Sequence, residues 1–156
     1  MAAYVELHTR ALEQFGHPLL PVGVHKLGLV AVTDEAARAA YWPEYKAAFE
    51  SAARERGFAV PTPRQFDAEV AGGALFVGSP ETVAVKIAAN VRRLGLSRFD
   101  LKYDIGHLGR EHRATSIELY GRQVIPRVRE LLADAPGQPV PSDPRAAAAS
   151  AAGARA

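Results

Sequence analysis

The chain has 156 residues, 48% of them hydrophobic and 23% charged, and it contains no cysteine. This composition is typical of a globular domain and excludes a wholly disordered chain, a collagen and a coiled coil. A chain without cysteine forms no disulfide, zinc–thiolate site or iron–sulfur cluster and has no thiol nucleophile. The net charge of +2 comes from 19 basic and 17 acidic residues, and this mixture gives no case for binding nucleic acid or a membrane surface.

The two ends of the sequence bear on location and domain size. The first residues lack the basic start and apolar core of a secretory signal, and no apolar run reaches the roughly 18 residues of a membrane span. We therefore expect a cytoplasmic protein. Residues 133–156 are rich in proline and alanine and poor in large apolar side chains, which predicts a disordered tail. The folded domain is accordingly expected at residues 1–132.

A helix and a buried strand are predicted first. Apolar residues at helical spacing predict a helix over residues 4–15 that ends at Gly16. Residues 22–32 are an almost continuous apolar run with many β-branched side chains, which is typical of a parallel strand covered on both faces. His25 lies on this strand and is either a core histidine or a residue of a functional site.

A long helical insertion follows the strand, at residues 33–73. Thr33 is suited to cap its first helix, and Thr62 followed by Pro63 is suited to begin a second. An ordinary connection between a strand and a helix has only about 2–6 residues, so we predict that the insertion is a lid over a site. Four aromatic side chains of the insertion either pack in a core or cover a flat ligand; they are Tyr41, Trp42, Tyr45 and Phe49.

A short extended segment and a well-marked helix come next. The segment is predicted at residues 74–77, and Ser79 and Pro80 begin a helix that Gly95 ends. Free amides at a helix start bind anions, so Gly78 and Ser79 are candidates for a contact with an anion. An ordinary N-cap explains the same residues.

Residues 98–103 alternate polar and apolar side chains, which predicts a second strand. Its polar residues Arg98, Asp100 and Lys102 share one face. In a closed barrel this face is the interior, and the carboxyl end of the strand borders the active site. Lys102 or its neighbours Tyr103 and Asp104 would then contact an anionic or polar ligand. The alternative is an edge strand with solvated charges.

The last predicted elements are a loop at residues 104–114 and a helix at residues 116–132, which opens at a serine and is kinked by Pro126. His107 lies in the loop and is a candidate for a polar contact with a ligand. His112 is five positions further on, which does not align the two rings on one helix face. No metal site is predicted.

The alternation of helices and strands implies an α/β fold with parallel strands. Two strands and one short extended segment are few for a stable sheet, so the chain is predicted to be one part of a larger α/β architecture. None of the Walker, dinucleotide-binding, nucleophile-elbow or zinc-protease motifs occurs in the sequence. The motifs alone therefore assign no chemistry.

Several blocks of sequence resemble the C-terminal part of the bacterial luciferase-like flavin-dependent monooxygenases. The most specific are GALFVGSPETVA at residues 73–84 and LGLSRFDLKY at residues 94–103. The other blocks are PVGVH at residues 21–25, TDEAAR at residues 33–38, SIELYG at residues 116–121 and VIPRV at residues 124–128. The resemblance extends over residues 4–132.

This resemblance implies a (β/α)8 barrel, the TIM-barrel fold, of which this chain holds about the last two βα units. Residues 22–32 would be the seventh strand, residues 33–73 the family's mobile insertion and residues 98–103 the eighth strand. The first six strands have no counterpart here. In this family those strands supply much of the flavin pocket, including most of the phosphate contacts.

The resemblance also implies a function, an oxidoreductase or monooxygenase that uses FMN or a deazaflavin cofactor. His25, Gly78 and Ser79 are the expected cofactor contacts, and Lys102, Tyr103 and His107 the expected contacts with a small organic substrate. No catalytic base is assigned. The expected partner is the missing N-terminal portion of the barrel or a second copy of the chain. The alternatives are a non-catalytic partner module and a truncated remnant.

Overall fold

A computed structural model describes residues 2–57, 59–105 and 107–134. The described part contains six α-helices, three β-strands and one π-helical segment. In chain order they are α1 (Ala2–Gln14), β1 (Val22–Val30), α2 (Asp34–Arg56), α3 (Pro63–Ala71), β2 (Phe76–Gly78), α4 (Pro80–Leu94), β3 (Leu96–Lys102), α5 (Arg110–Leu119), the π-helical segment (Tyr120–Val124) and α6 (Ile125–Ala133). The predicted disordered tail lies, from residue 135 onward, outside the described residues.

The three strands form one parallel sheet in the order β2-β1-β3. The central strand, β1, pairs with β3 over residues 22–27 and with β2 over residues 28–30. The prediction of an α/β fold with parallel strands is thus confirmed for this sheet. Because all three strands run in the same direction, their carboxyl ends meet at one edge, which we call the carboxyl edge.

A glycine allows β2 to approach β1. A Cβ atom built on Gly28 would lie 2.1 Å from the carbonyl oxygen of Phe76 and 2.8 Å from Cδ1 of Leu101. Since one of these atoms belongs to the backbone of β2, it cannot move aside without disturbing the strand. Only glycine fits at this position.

One face of the sheet, which we call the α4 face, is covered by α4, the π-helical segment and α6. The side chains of Val30 and Phe76 point to this face and pack with Val83, Ile87 and Val124. On β3, Phe99 and Leu101 pack against the same cluster.

The opposite face, which we call the α2 face, is covered only in its carboxyl half. There Leu29 and Val77 pack with Tyr41 and Tyr45 of α2 and Phe66 of α3. Further toward the amino end of β1, Gly23 and His25 are exposed. The prediction that β1 is covered on both faces, and the alternative of a core histidine at position 25, are therefore wrong, because α2 and α3 reach only the carboxyl half.

The last helix begins at Arg110 rather than at Ser116. Ser116 is buried in α5, and its hydroxyl accepts a hydrogen bond from the amide of Val30 at 3.1 Å. The last residue of β3, Lys102, lies opposite Leu27 of β1, so β3 ends before it reaches Val30. The Ser116 hydroxyl therefore accepts the hydrogen bond of the Val30 amide in place of a β3 carbonyl. A π-helical segment lies just before Pro126, and the kink predicted at that proline stays a prediction.

The close contact at Gly28 can be tested by adding one methyl group. Gly28→Ala is expected to lower the free energy of unfolding by about 3 kcal/mol, because the methyl group meets backbone atoms. The control is Gly121→Ala, where a Cβ has nothing within 4 Å and stability should stay equal or rise slightly. Urea denaturation followed by circular dichroism measures both, and equal midpoints for the two variants would contradict the packing of β2 on β1.

Candidate functional site

Three parts of the chain meet at the carboxyl edge, where the sites of parallel α/β proteins commonly lie. They are the start of α2 after β1, the start of α4 after β2 and the loop after β3. Of the predicted site residues, all but His25 lie at the end of a strand or in the segment that follows it. The candidate site is therefore built at this edge.

The start of α4 is occupied by a carboxylate of the chain itself. Oδ1 of Asp34 accepts a hydrogen bond from the amide of Ser79 at 2.6 Å, and Oδ2 accepts one from the hydroxyl of Thr82 at 3.0 Å. The hydrogen bond from the Ser79 amide is the main cause that lowers the pKa of Asp34, with a smaller contribution from Thr82. The amide of Ser79 already has an anionic partner.

Gly78 makes room for that carboxylate. A Cβ atom at Gly78 would lie 2.8 Å from Oδ1 of Asp34 and 2.9 Å from Cγ2 of Thr82. The predicted N-cap is confirmed, because the Ser79 hydroxyl accepts a hydrogen bond from the Thr82 amide at 3.4 Å. In this structure Gly78 and Ser79 thus serve contacts within the chain, and their contact with a cofactor stays a prediction.

The loop after β3 brings the three predicted substrate residues to the same edge. Lys102 and His107 are exposed, and Tyr103 is half-buried. The backbone amide of His107 donates a hydrogen bond to Oε2 of Glu44 in α2 at 2.8 Å. Leu108 packs into the cluster formed by α2 and α3. The loop is therefore fastened to the insertion.

His25 lies on the exposed part of the α2 face, away from the carboxyl edge. It is in register with Asp100 on β3, and Asp100 forms an exposed ion pair of 2.9 Å with Arg98. Lys102 continues this row of exposed polar residues. In the described residues β3 is an edge strand with solvated charges, which was the second of the two interpretations.

The structure does not bring all the predicted site residues together. Gly78 lies opposite Val30 and Lys102 lies opposite Leu27, with β1 between them. Two strand spacings across the sheet and three residues along it separate Gly78 from Lys102 by about 14 Å. A ligand that contacts both residues has to extend over the end of β1.

The aromatic residues of the insertion pack on one another and on the sheet. Ring centroids are 4.8 Å apart for Tyr45 and Phe49 and 5.2 Å apart for Trp42 and Phe66. Tyr41 is completely buried. The packing interpretation is the one that this structure supports, because the insertion rests on the sheet.

The hydroxyl groups of two neighbouring tyrosines differ in their partners. The hydroxyl of Tyr45 donates to Oε2 of Glu69 at 2.6 Å, whereas that of Tyr41 is buried with no hydrogen-bond partner among the described residues. Burial is the main cause that raises the pKa of both side chains above the usual range. Tyr41 and Tyr45 are therefore uncharged.

Two residues of this edge, Asp34 and Glu44, were not predicted as site residues. Both lie in the insertion. Their contacts lie 45 and 63 residues further along the chain. The sequence carries no signal for such distant contacts, because each contact depends on how α2 packs against the rest of the fold.

A shallow, mainly apolar cavity of about 280 Å³ lies on the α4 face, near the amino end of β3. Its lining includes Ile87, Phe99, Tyr120 and Val128. This cavity is on the side of the sheet opposite the α2 face and does not belong to the candidate site.

Two kinds of feature are absent among the described residues. No helix among them combines the length and apolar character needed to cross a membrane. Within the same residues, no cluster of three or more His, Asp or Glu side chains is arranged to hold a metal ion.

Comparisons with known proteins found similar folds among solved structures. No protein-family model matches the chain, and no curated protein matches it significantly. The monooxygenase RslO1 from Streptomyces bottropensis has a similar structure, with a TM-score of 0.62 and 23% identity over 78% of this chain. A second solved structure with a similar fold is the oxygenating constituent of 3,6-diketocamphane monooxygenase from the CAM plasmid of Pseudomonas putida. That protein is a type II Baeyer-Villiger monooxygenase in complex with FMN. Its TM-score is 0.61, with 20% identity over 81% of this chain.

The likeness is confined to part of each monooxygenase. The chain covers 36% of the first and 39% of the second. At these identities the comparison shows a shared fold, an α/β arrangement with a small parallel sheet. The resemblance noted in the sequence is supported to that extent.

The two tyrosines allow a matched test of the insertion. Tyr45→Phe removes a hydrogen bond to Glu69 and should lower the free energy of unfolding by about 1–2 kcal/mol. Tyr41→Phe removes a buried hydroxyl without a described partner and should leave stability unchanged or higher. Chemical denaturation measures both variants, and a larger loss for Tyr41→Phe would contradict the position of α2.

The ionisation of Asp34 predicts a dependence of stability on pH. Because folding lowers its pKa below the ordinary value of 3.8, the stability it contributes is present above that value. This stability is lost as the pH falls through the folded-state pKa. Asp34→Asn should therefore show a smaller loss of stability below about pH 4 than the unchanged chain does. Identical acid-unfolding curves would contradict the contact with Ser79.

Proposed function

We propose that the chain is the C-terminal part of a flavin-dependent monooxygenase of the luciferase-like type, active only together with the rest of a (β/α)8 barrel. The observation that carries this proposal is the likeness to two monooxygenases, one of them in complex with FMN, which extends over little more than a third of each. The proposed partner is the N-terminal portion of the barrel, and a homodimer is the alternative assembly. A cytoplasmic location stays a prediction.

The unfinished sheet supports the proposal. Among the described residues, the outer edges of β2 and β3 are not paired with another strand. Unpaired edges invite pairing with another segment. The exposed row of Arg98, Asp100 and Lys102 lies on the face that a closed barrel would turn inward. Further strands would cover both features at once.

The proposed cofactor is FMN, with a deazaflavin cofactor as the alternative. When bound, the flavin supplies the redox chemistry. The protein binds and orients the flavin and excludes water from it. The residues of this chain could form only part of a binding site for the flavin. His25 is proposed to face the cofactor across the barrel interior, whereas Gly78 and Ser79 can approach its phosphate only if Asp34 moves away.

The proposed substrate side is the loop after β3. Lys102 is an exposed cation at the carboxyl edge, His107 supplies an exposed polar ring, and Tyr103 lies between them in the sequence. A small organic substrate would be bound between this loop and the docked insertion. Among the residues that the structure describes, no side chain has contacts that single it out as a catalytic base.

The second candidate function is a non-catalytic partner module. It is favoured by the same exposed face, since a surface that needs a partner does not by itself need a cofactor. A truncated remnant without function is the third possibility. The three differ in what the chain binds when a partner is supplied.

The test is co-expression with the polypeptides encoded on either side of this chain's gene, followed by gel filtration and a visible absorption spectrum. We expect the chain alone to retain no FMN and a complex with an N-terminal barrel portion to retain it. A complex without flavin would favour the partner module. Stoichiometric FMN on the chain alone, or the absence of any complex, would contradict the proposal.

A further inference from the structure

The contact between Asp34 and α4 joins the insertion to the first turn of α4. Asp34 is the first residue of α2, and its two carboxylate oxygens take the amide of Ser79 and the hydroxyl of Thr82. The N-terminus of a helix carries a partial positive charge and unpaired amides. A carboxylate placed there is held by hydrogen bonds and by this charge.

The charged groups around the contact support its position. Arg38, one turn further along α2, lowers the pKa of Asp34 and pairs with Asp67 of α3 at 2.7 Å. Lys86 of α4 donates to the carbonyl of Val70 at the end of α3, at 2.7 Å. Burial is the main cause that lowers the pKa of Lys86, with a smaller lowering by Arg38 and an opposing contribution from Asp34. Arg38 is thus the cation whose charge acts on the Asp34 carboxylate.

The other acidic residue at this turn is directed elsewhere. Glu81 of α4 forms a two-pronged ion pair with Arg127 of α6, at 2.9 and 3.1 Å. Glu35, the neighbour of Asp34 in α2, is exposed. The first turn of α4 therefore receives its carboxylate from α2.

We propose that Asp34 is an internal anion that latches the insertion onto the N-terminus of α4 and fills the place where an external anion was predicted to bind. Its meaning for the enzyme rests on the proposed function, but the latch is a property of this chain alone. While it is closed, the Ser79 amide is not available to an external phosphate. The phosphate of the cofactor is then held by residues outside this turn.

Gly78 is part of the latch. Because a Cβ there would meet Oδ1 of Asp34 at 2.8 Å, any larger residue would push the carboxylate away from the amide of Ser79. The requirement for glycine at this position is thus explained by a contact within the chain. An approaching phosphate is not needed to account for it.

The experiment compares three variants of the full chain by NMR. Asp34→Ala removes both acceptors, Asp34→Asn restores one neutral acceptor, and Glu35→Ala removes the neighbouring carboxylate as the control. We expect hydrogen exchange of the Ser79 amide to become about tenfold faster in Asp34→Ala, the factor for one lost hydrogen bond. The increase should be smaller in Asp34→Asn and absent in Glu35→Ala. Unchanged exchange in Asp34→Ala would overturn the latch.

A second measurement tests the exclusion of phosphate. In the unchanged chain, the resonance of the Ser79 amide should stay in place when inorganic phosphate is added at millimolar concentration. A saturable shift of that resonance would overturn the proposal. Neither measurement involves flavin or activity. If these measurements contradict the latch but a complex with an N-terminal barrel portion binds flavin, the proposed function stands. If they support the latch but no such complex forms, the latch stands and the proposed function is contradicted.

Discussion

A parallel sheet needs cover on both faces and partners along its edges, and this chain meets that requirement only in part. The α4 face is covered by helices along the sheet, and Phe76 is completely buried there. The α2 face is covered where the insertion docks and is exposed around His25 and Asp100. The position of the candidate site follows from this unequal cover, and the proposal of a partner rests on it.

The docked insertion decides what the carboxyl edge offers. Two kinds of contact hold it, an aromatic cluster around Tyr41 on the sheet and polar contacts through Asp34 and Glu44. The aromatic cluster supplies buried apolar area, which is not directional. The polar contacts fix how α2 sits relative to α4 and the loop after β3. Together they leave Lys102 and His107 exposed and close the start of α4.

Local signals in the sequence predicted much of the fold. Thr33, Thr62 and Ser79 were expected as N-caps and act as such, and Gly57 and Gly95 end their helices in the left-handed conformation. The start of α5 was missed because Gly109 provides no side-chain cap. The buried role of Ser116 was missed because its partner, Val30, is 86 residues away.

The candidate site was less predictable than the fold, for the same reason. The residue types at the ends of the strands, Ser79 and Lys102 among them, pointed to the carboxyl edge. The strand order β2-β1-β3, which separates these two residues, depends on pairing between distant segments. The amide of Ser79 has Asp34 as its partner because α2 packs beside the start of α4. No sequence pattern within one segment reveals this packing.

The proposed completion of this sheet by another polypeptide is open to a direct test. Hydrogen exchange of the peptide covering Leu96–Lys102, followed by mass spectrometry, tests it most directly, because β3 is an edge strand. The account predicts rapid exchange at alternate amides of β3 in the chain alone and protection of the same amides once an N-terminal barrel portion is bound. Full protection of β3 in a monomer of this chain would contradict it.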